Sequence, residues 1–284
     1  MKKVYKIEIQ KAICNRMFVI AVCIGVVITF FSFFQQLPYM HTELISNGTN
    51  EVNPCTPIYI LFNNWIGGEI FSLGTNIYFF VFPLLICIPY GWSYCNEKKR
   101  GYSKLVAVQT GKMHYLLSKY VALFLSGGLA MVIPLIFNFV LCTLFFPAVT
   151  PMANYCTSYG VFRESLLSSL YYSMPFLYVF LYLCIDFVFA GLLACICMAV
   201  AAFLKQTWIT LVIPFFVCLL IHFSGRYIYV SDTVAYKQIS PFYFLRLADT
   251  GYAASFSIIL GMAVCIFLAT FLIGVIWERK HEIY

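Results

Sequence analysis

The stretch "MFVIAVCIGVVITFFSFFQQLPYM", residues 17–40, contains no charged side chain. A helix needs about 20 apolar residues to cross the hydrocarbon core of a bilayer, and this run is long enough. The rest of the chain is similar, because 62% of its 284 residues are hydrophobic and only 10% are charged. Soluble domains are typically about half apolar and about a quarter charged. The sequence therefore predicts an integral membrane protein.

Other uncharged or nearly uncharged runs follow at intervals along the chain. They predict an all-α membrane protein that forms a single transmembrane domain over residues 1–284. The predicted six transmembrane helices lie near 17–36, 72–92, 115–146, 173–203, 207–223 and 255–277.

The N-terminal tail, residues 1–16, has the pattern of a basic amphipathic helix. Val4 and Ile7 fall near one helical face, with Ala12 and Ile13, and lysines occupy most of the other face. Such a helix lies along a membrane surface, where anionic lipids attract its lysines. The alternative is an ordinary positive flank that fixes the orientation of the first span.

The basic residues are distributed unevenly between the two sides of the predicted membrane. Fourteen of the 18 fall in the tail, in 93–119, in 204–206 and in 278–284, which the six spans place on one side. Lysine and arginine are enriched on the cytoplasmic side, so both termini are expected inside. The net charge of +7 thus follows from topology and does not indicate a nucleic-acid partner.

The stretch "CNEKKRGYSKLVAVQTGKMHYLLSK", residues 95–119, contains six of these basic residues between two spans. It predicts a charged exit from the membrane, a short helix that ends near Gly111, and re-entry with Lys119 near the interface. A long lysine side chain there is expected to reach toward water. A short basic helix held between two spans is suited to docking another protein.

In this order of elements the chain resembles permease subunits of the type-2 ABC exporter family, including those of bacteriocin or lantibiotic export or immunity. The family combines an amphipathic N-terminal helix, six spans and a coupling helix between the second and third. Glu97, Gly101, Leu105 and Lys119 match its pattern, whereas Ser118 replaces a usual glycine. "QTGKM" stands where the family often has a proline.

The resemblance implies a division of labour with other chains. A cytosolic ABC ATPase, two copies per complex, would bind ATP and Mg, and this chain would bind no cofactor. The permease would pair with a second copy or a homologous permease in the bacterial cytoplasmic membrane. The coupling segment 97–112 would dock the ATPase through residues Glu97, Lys98, Lys99, Arg100, Gly101, Tyr102, Leu105 and Val108. Glu97 would anchor it locally; the alternative is a solvated loop charge.

The chain itself carries no phosphate-binding loop. That motif needs a glycine, four residues, then Gly-Lys and Ser or Thr. At Gly111-Lys112 the next residue is Met113, and Val106 stands in place of the first glycine. An enzymatic role is therefore not expected, and ATP hydrolysis is assigned to a separate chain.

Asp186 is the one acidic residue deep in a predicted span. A carboxylate in hydrocarbon is costly, so it is a candidate for contact with a cationic substrate, for a pH response or for pairing with a partner permease. The alternative is a protonated or hydrogen-bonded aspartate that fixes helix packing.

Most of the twelve cysteines lie in the spans, where they behave as small hydrophobic residues. Cys195 and Cys197 form a C-x-C without a second pair, so no metal site is predicted. Cys55 and Cys156 fall in outer loops, where a disulfide is chemically permitted. The aromatic loops 63–76 and 239–252 are interpreted as interfacial segments that either line an exit or anchor the protein at the membrane interface.

Other protein classes fit less well. An intramembrane protease needs paired catalytic groups in the spans, and Asp186 has no such companion. An ion-coupled secondary transporter that uses Asp186 usually shows more intramembrane charge and internal repeats. A non-transporting immunity or assembly subunit, paired with a second permease, shares the same architecture and remains open. The leading hypothesis is an ATP-driven exporter of an amphiphilic cargo, such as an antimicrobial peptide, a drug or a lipid-linked molecule.

Overall fold

The computed structural model describes residues 2–46, 60–69, 72–151, 161, 165–228, 238–246 and 255–277. Within those ranges every regular element is helical, and five helices are long and apolar enough to cross a membrane. These two observations confirm the prediction of an all-α protein of membrane character.

Twelve helices are numbered here in chain order. They are α1 Lys2–Ile13, α2 Arg16–Ser46, α3 Leu61–Asn64, α4 Leu73–Leu85, α5 Ser93–Lys99, α6 Tyr102–Thr110, α7 Lys112–Thr143, α8 Ser168–Ser173, α9 Pro175–Ala201, α10 Thr207–Ile228, α11 Pro241–Phe244 and α12 Phe256–Phe271, which continues as a π-helical segment, Leu272–Trp277. The candidate spans lie in α2, α7, α9, α10 and α12.

The second predicted span, 72–92, differs from the other five. Its helix, α4, has 13 residues, which is shorter than the roughly 20 that cross a bilayer. Turns at 86–92 then lead into α5. Among the described residues there are thus five helices long enough to span a membrane and the shorter apolar helix α4, and the six-span topology stays a prediction.

The centre of the bundle is the packing of α7 against α9, where small residues let the two helices approach closely. A Cβ atom added to Gly127 would lie 2.5 Å from the Cβ of Ala194, and one added to Gly191 would lie 2.6 Å from the ring of Phe124. Helices in membranes associate through such small-residue contacts because lipid provides no hydrophobic drive between them. Helix α2 also packs on α7.

Helix α1 is present as predicted, and the face that it turns toward the bundle includes a charged residue. Glu8 and Ala12 are buried, whereas Ile7 is half exposed. Asn15 lies between α1 and α2 and caps both helices. Its side-chain amide donates to the Lys11 carbonyl, and its side-chain oxygen accepts from the Phe18 amide at 2.7 Å. Asn15 therefore fixes the corner between α1 and α2, and α1 packs on α7.

The amide of Asn15 also donates to the carbonyl of Pro89, in the turns that precede α5. This bond places α1 at the same end of the bundle as α5, α6 and the connection between α9 and α10, residues 202–206. We call this the basic end. At the opposite end, Trp65 and Ile66 of the loop 63–76 are buried against the bundle.

Candidate functional site

The predicted docking segment folds as two short helices separated by a glycine turn. Helix α5 ends at Lys99, Gly101 has a φ of +72°, and α6 follows directly. Gly111, with a φ of +86°, separates α6 from α7. L-residues with side chains rarely adopt positive φ, so glycine suits both corners. The short helix predicted to end near Gly111 is present.

Helix α6 turns an apolar face away from the bundle. Leu105 is 67% exposed and Val108 is 87% exposed, and Tyr102 is also exposed, whereas Ser103 is buried on the opposite side. Exposed apolar side chains on one face of a short helix are typical of a surface that another protein covers. Of the predicted docking residues, these three form that surface.

The basic members of the docking segment lie elsewhere. The Lys98 ammonium donates to the carbonyl of Ala202 at 3.1 Å, and the Lys99 ammonium donates to the hydroxyl of Thr207 at 3.2 Å. The first bond ties α5 to the connection between α9 and α10, and the second ties it to the first residue of α10. Arg100 lies with Gly101 in the turn after α5. These lysines therefore position the segment within the bundle.

Behind α5 lies a buried cluster of polar and charged side chains centred on Lys119. The side chain of Lys119 is 0% exposed, and its ammonium nitrogen lies 2.7 Å from a carboxylate oxygen of Glu8 and 2.7 Å from one of Glu97. The expectation that Lys119 reaches toward water is wrong. The Lys119 cluster consists of Glu8, Lys11, Tyr90, Ser93, Glu97, Tyr115 and Lys119.

The ammonium of Lys119 is saturated with acceptors. Besides the two carboxylates, it contacts the hydroxyls of Tyr90 and Ser93, each at 2.8 Å. A lysine has only three N–H donors, so these four oxygens share them. A buried charge is tolerated when it is both paired and hydrogen-bonded, as this one is.

Hydrogen bonds also hold the two carboxylates of the cluster. The Tyr90 hydroxyl donates to Glu8, and the Tyr115 hydroxyl donates to Glu97, each at 2.5 Å. The side chain of Glu97 is 16% exposed, which favours the local anchor over the solvated loop charge. The cluster therefore connects α1, the turns before α5, α5 itself and α7.

Lys11 completes the charge balance of the cluster at its solvent side. Its ammonium lies 3.0 Å from Glu8 and 4.0 Å from Glu97, so two acids face two bases. Burial alone would raise the pKa of Glu8, but the charge and hydrogen bonds of Lys119 hold this pKa below its ordinary value. Partial burial would lower the pKa of Lys11, but Glu8 and Glu97 raise it.

Sequence reasoning found Glu97 and Lys119 but missed Glu8. The signal was available, because Glu8 is the one acidic residue in a tail of five basic ones. Helical periodicity did not indicate that Glu8 is buried, because the amphipathic pattern places charged residues on the exposed face of a helix.

Asp186 lies in α9 and is 1% exposed. Within the part of the chain that the structure describes, neither of its carboxylate oxygens has a hydrogen-bond partner. The packing alternative was a protonated or hydrogen-bonded aspartate, and the hydroxyl of Tyr78 on α4 donates instead to the carbonyl of Met131 at 2.6 Å. An unpartnered buried carboxyl is costly, so it keeps Asp186 a functional candidate.

The remaining sequence-predicted sites are placed as follows. Cys55 and Cys156 lie outside the described residues. Cys195 and Cys197 are both buried in α9. The described His, Cys, Asp and Glu residues form no group of three or more that could hold a metal ion.

The segment interpreted as an exit lining or a membrane anchor, 239–252, lines a cavity of about 460 Å³ at the end opposite the basic end. Tyr243 of α11 and Arg246, which follows α11, line it together with Phe80 of α4 and His222 of α10. Arg246 donates to the side-chain oxygen of Asn76 at 2.8 Å. The cavity is aromatic with a basic rim.

Comparisons with protein-family models, with curated proteins and with solved structures give no match for this chain. The family resemblance accordingly depends on the order of elements and on the residues of the docking segment.

Proposed function

We propose that the chain is the permease subunit of an ATP-driven exporter, in which a separate ATPase docks on α6. The observation that carries this proposal is the exposed apolar face of α6, formed by Tyr102, Leu105 and Val108. It stands at the basic end, between α5 and the long helix α7. A partner that binds α6 would therefore contact the segment that joins α5 to α7.

The Lys119 cluster supports transmission of movement from this surface. Glu97 on α5 and Lys119 on α7 form a buried ion pair, and Glu8 extends it to α1. Elements joined by buried charges move together, because separating them would leave a charge without its partner. A displacement of α6 would thus reach α1 and α7 as one rigid unit, as in switching by rigid bodies.

In this proposal ATP and Mg bind to the ATPase, and two ATPase copies serve two permeases. The second permease is another copy or a homologue, in a bacterial cytoplasmic membrane with both termini inside. The aromatic cavity near Tyr243 and Arg246 suits release of an amphiphilic cargo, because it combines apolar walls with a basic rim. An immunity or assembly subunit would use the same docking surface without moving cargo.

A second candidate function, ion-coupled secondary transport, has one specific observation in its favour. Asp186 is buried in α9 with both oxygens unpartnered among the described residues. Intramembrane carboxyls of this kind carry protons or cations in transporters. This candidate predicts transport that depends on an ion gradient and needs no ATPase.

The decisive experiment is a tagged purification from the native host in mild detergent, with ATPase activity measured on the eluate. Wild type is compared with Leu105→Glu/Val108→Glu, which adds two charges to the exposed face of α6. Gln10→Glu is the control, since it adds a charge at an exposed position of α1 at the same end.

Docking predicts that an ATPase co-purifies with wild type and with the control but is lost from the α6 variant. A stable wild-type protein that purifies without any nucleotide-hydrolysing partner would refute the ATP-driven proposal and favour ion coupling through Asp186. Retention of the ATPase by the α6 variant would refute docking on α6 in particular.

A further inference from the structure

A second cavity, of about 440 Å³, lies at the basic end beside α6. Its walls come from α5, the start of α6 and the end of α9 with the connection that follows. Of the described residues that line it, four are lysines and none is acidic: Lys98, Lys99, Lys104 and Lys205. The volume is in the range of small-ligand pockets.

The cavity is preformed because hydrogen bonds join its walls. Lys98 donates to the carbonyl of Ala202, and the thiol of Cys95 donates to the carbonyl of Lys205 at 3.3 Å. These bonds hold α5 against the connection between α9 and α10 before any ligand binds. The four lysines thus line one cavity, and an anion with several oxygens, such as a phosphate, matches such a set of donors.

The apolar side chains beside the lysines indicate the source of that phosphate. Phe203 and Leu204 line the same cavity, and both are exposed. Trp208, in the first turn of α10, is 81% exposed. Exposed tryptophan at the end of a spanning helix is typical of the membrane interface, where headgroups meet acyl chains. A free phosphate would use the lysines but not this apolar rim.

We infer that this cavity binds the phosphate headgroup of an anionic phospholipid, with the acyl chains lying along Phe203 and Trp208. The headgroup bridges α6, through Lys104, to the connection between α9 and α10, through Lys205. Basic pockets between spanning helices on the positive side of a membrane protein bind anionic headgroups in this way. The bound lipid would hold α6 against the bundle.

The test is native mass spectrometry of the purified full chain, titrated with phosphatidylglycerol or with zwitterionic phosphatidylcholine. The site variant is Lys99→Gln/Lys104→Gln/Lys205→Gln. The control, Lys6→Gln/Arg16→Gln/Lys112→Gln, removes the same charge from the same end but outside the cavity. Lys205→Glu alone is a second site variant, since it changes only the connection between helices and spares α5 and α6.

We expect wild type and control to retain one phosphatidylglycerol in preference to phosphatidylcholine. The triple site variant should bind it at least about tenfold more weakly, given the contribution of each lysine near a membrane surface. Lys205→Glu should weaken it in the same direction. Equal retention by site variant and control would overturn the inference, because the lysines would then act only as a general positive flank.

Two further arms separate other sources of the anion. Inorganic phosphate is added in lipid-free detergent, and the apparent Tm is measured. If phosphate stabilises the protein as much as phosphatidylglycerol does, the site is for a free phosphate and the lipid assignment fails. The assignment also fails if the site variant loses a co-purifying ATPase while lipid retention is unchanged, since the lysines then contact an acidic protein surface.

Discussion

The Lys119 ammonium on α7 lies 2.7 Å from a carboxylate oxygen of Glu8 on α1, in a site without access to solvent. The N-terminal helix is thereby joined to the long central helix by a buried charge pair. Removing one member of such a pair strands the other, which costs about 3–5 kcal/mol. We therefore expect Lys119→Met to lower the apparent Tm of the detergent-solubilised protein strongly.

Two variants test whether the lower Tm of Lys119→Met comes from the unpaired carboxylates. Lys6→Met changes an exposed lysine of α1 and should leave Tm nearly unchanged. Adding Glu8→Gln and Glu97→Gln to Lys119→Met removes both stranded carboxylates and should recover part of the loss. No recovery in the triple variant would mean that lost packing, and not the unpaired charge, causes the instability.

The same cluster predicts an acid limit to stability. The pKa of Glu8 is lowered in the folded protein. The contribution of Glu8 to the free energy of unfolding is therefore present above the unfolded pKa, about 4.3, and is lost as pH falls through the folded pKa. The pKa of Lys11 is raised, so its contribution is present below about pH 10 and is lost as pH rises through its folded pKa. We expect a plateau of Tm between these limits.

Glu8→Gln identifies the residue responsible for the acid side. This variant should be less stable at neutral pH but should show a flatter decline in Tm below about pH 5, since position 8 can no longer take up a proton. Lys6→Gln, on the exposed face of the same helix, should retain the wild-type profile. A profile of Glu8→Gln parallel to that of wild type would assign the acid transition to other carboxyls.

Sequence alone predicted the helical membrane class and the short helix between two spans, because both depend on local signals. Runs without charge define spans through the cost of charge in hydrocarbon, and Gly101 and Gly111 mark corners that need positive φ. The Lys119 cluster depends instead on tertiary proximity. Glu8, Tyr90 and Lys119 are far apart in sequence, and no periodic pattern indicates that they meet.

Two buried side chains were not predicted from the sequence, for physical reasons of the same kind. Trp65 is buried because its ring packs edge-on against Phe139 of α7. Glu8 is buried because its carboxylate faces the bundle and pairs with Lys119. In both positions tertiary contacts override the preference of the single residue.

Replacing glycine by alanine should have different effects on stability at Gly127, in the contact of α7 with α9, and at Gly261 of α12. A methyl group at Gly127 would lie 2.5 Å from the Cβ of Ala194, a short side chain that cannot move aside. Gly127→Ala should therefore destabilise the protein by about 1–3 kcal/mol, the usual cost of overpacking. At Gly261 of α12 nothing lies within 4 Å of the added methyl. Gly261→Ala should be neutral or slightly stabilising, because alanine favours helix.

Thermal unfolding of both alanine variants, monitored by helical circular dichroism in one detergent, measures this contrast. If Gly127→Ala is as stable as Gly261→Ala, the two helices are not in the close contact described here. A lower Tm for Gly261→Ala alone would place the exposed face of α12 against another chain in the purified protein.

Two buried polar residues, Asp186 and Asn138, predict effects of opposite sign. Asn138 accepts from the Ile66 amide at 2.8 Å and donates to the Thr29 carbonyl at 2.9 Å, so Asn138→Leu strands the buried Ile66 amide and removes one bond of the Thr29 carbonyl. A stranded buried amide costs about 1–3 kcal/mol, and Tm should fall. Asp186 makes no hydrogen bond within the described residues, so Asp186→Leu removes a desolvation cost and should raise Tm.

A fall in Tm for Asp186→Leu would contradict this account, because it would show that the carboxyl is paired in the purified protein, for example with another chain. Asp186→Asn separates charge from shape, since it keeps the volume and removes the ionisable group. A higher Tm in both Asp186 variants, together with lost transport, would mark the carboxyl as a residue kept for function at a cost in stability.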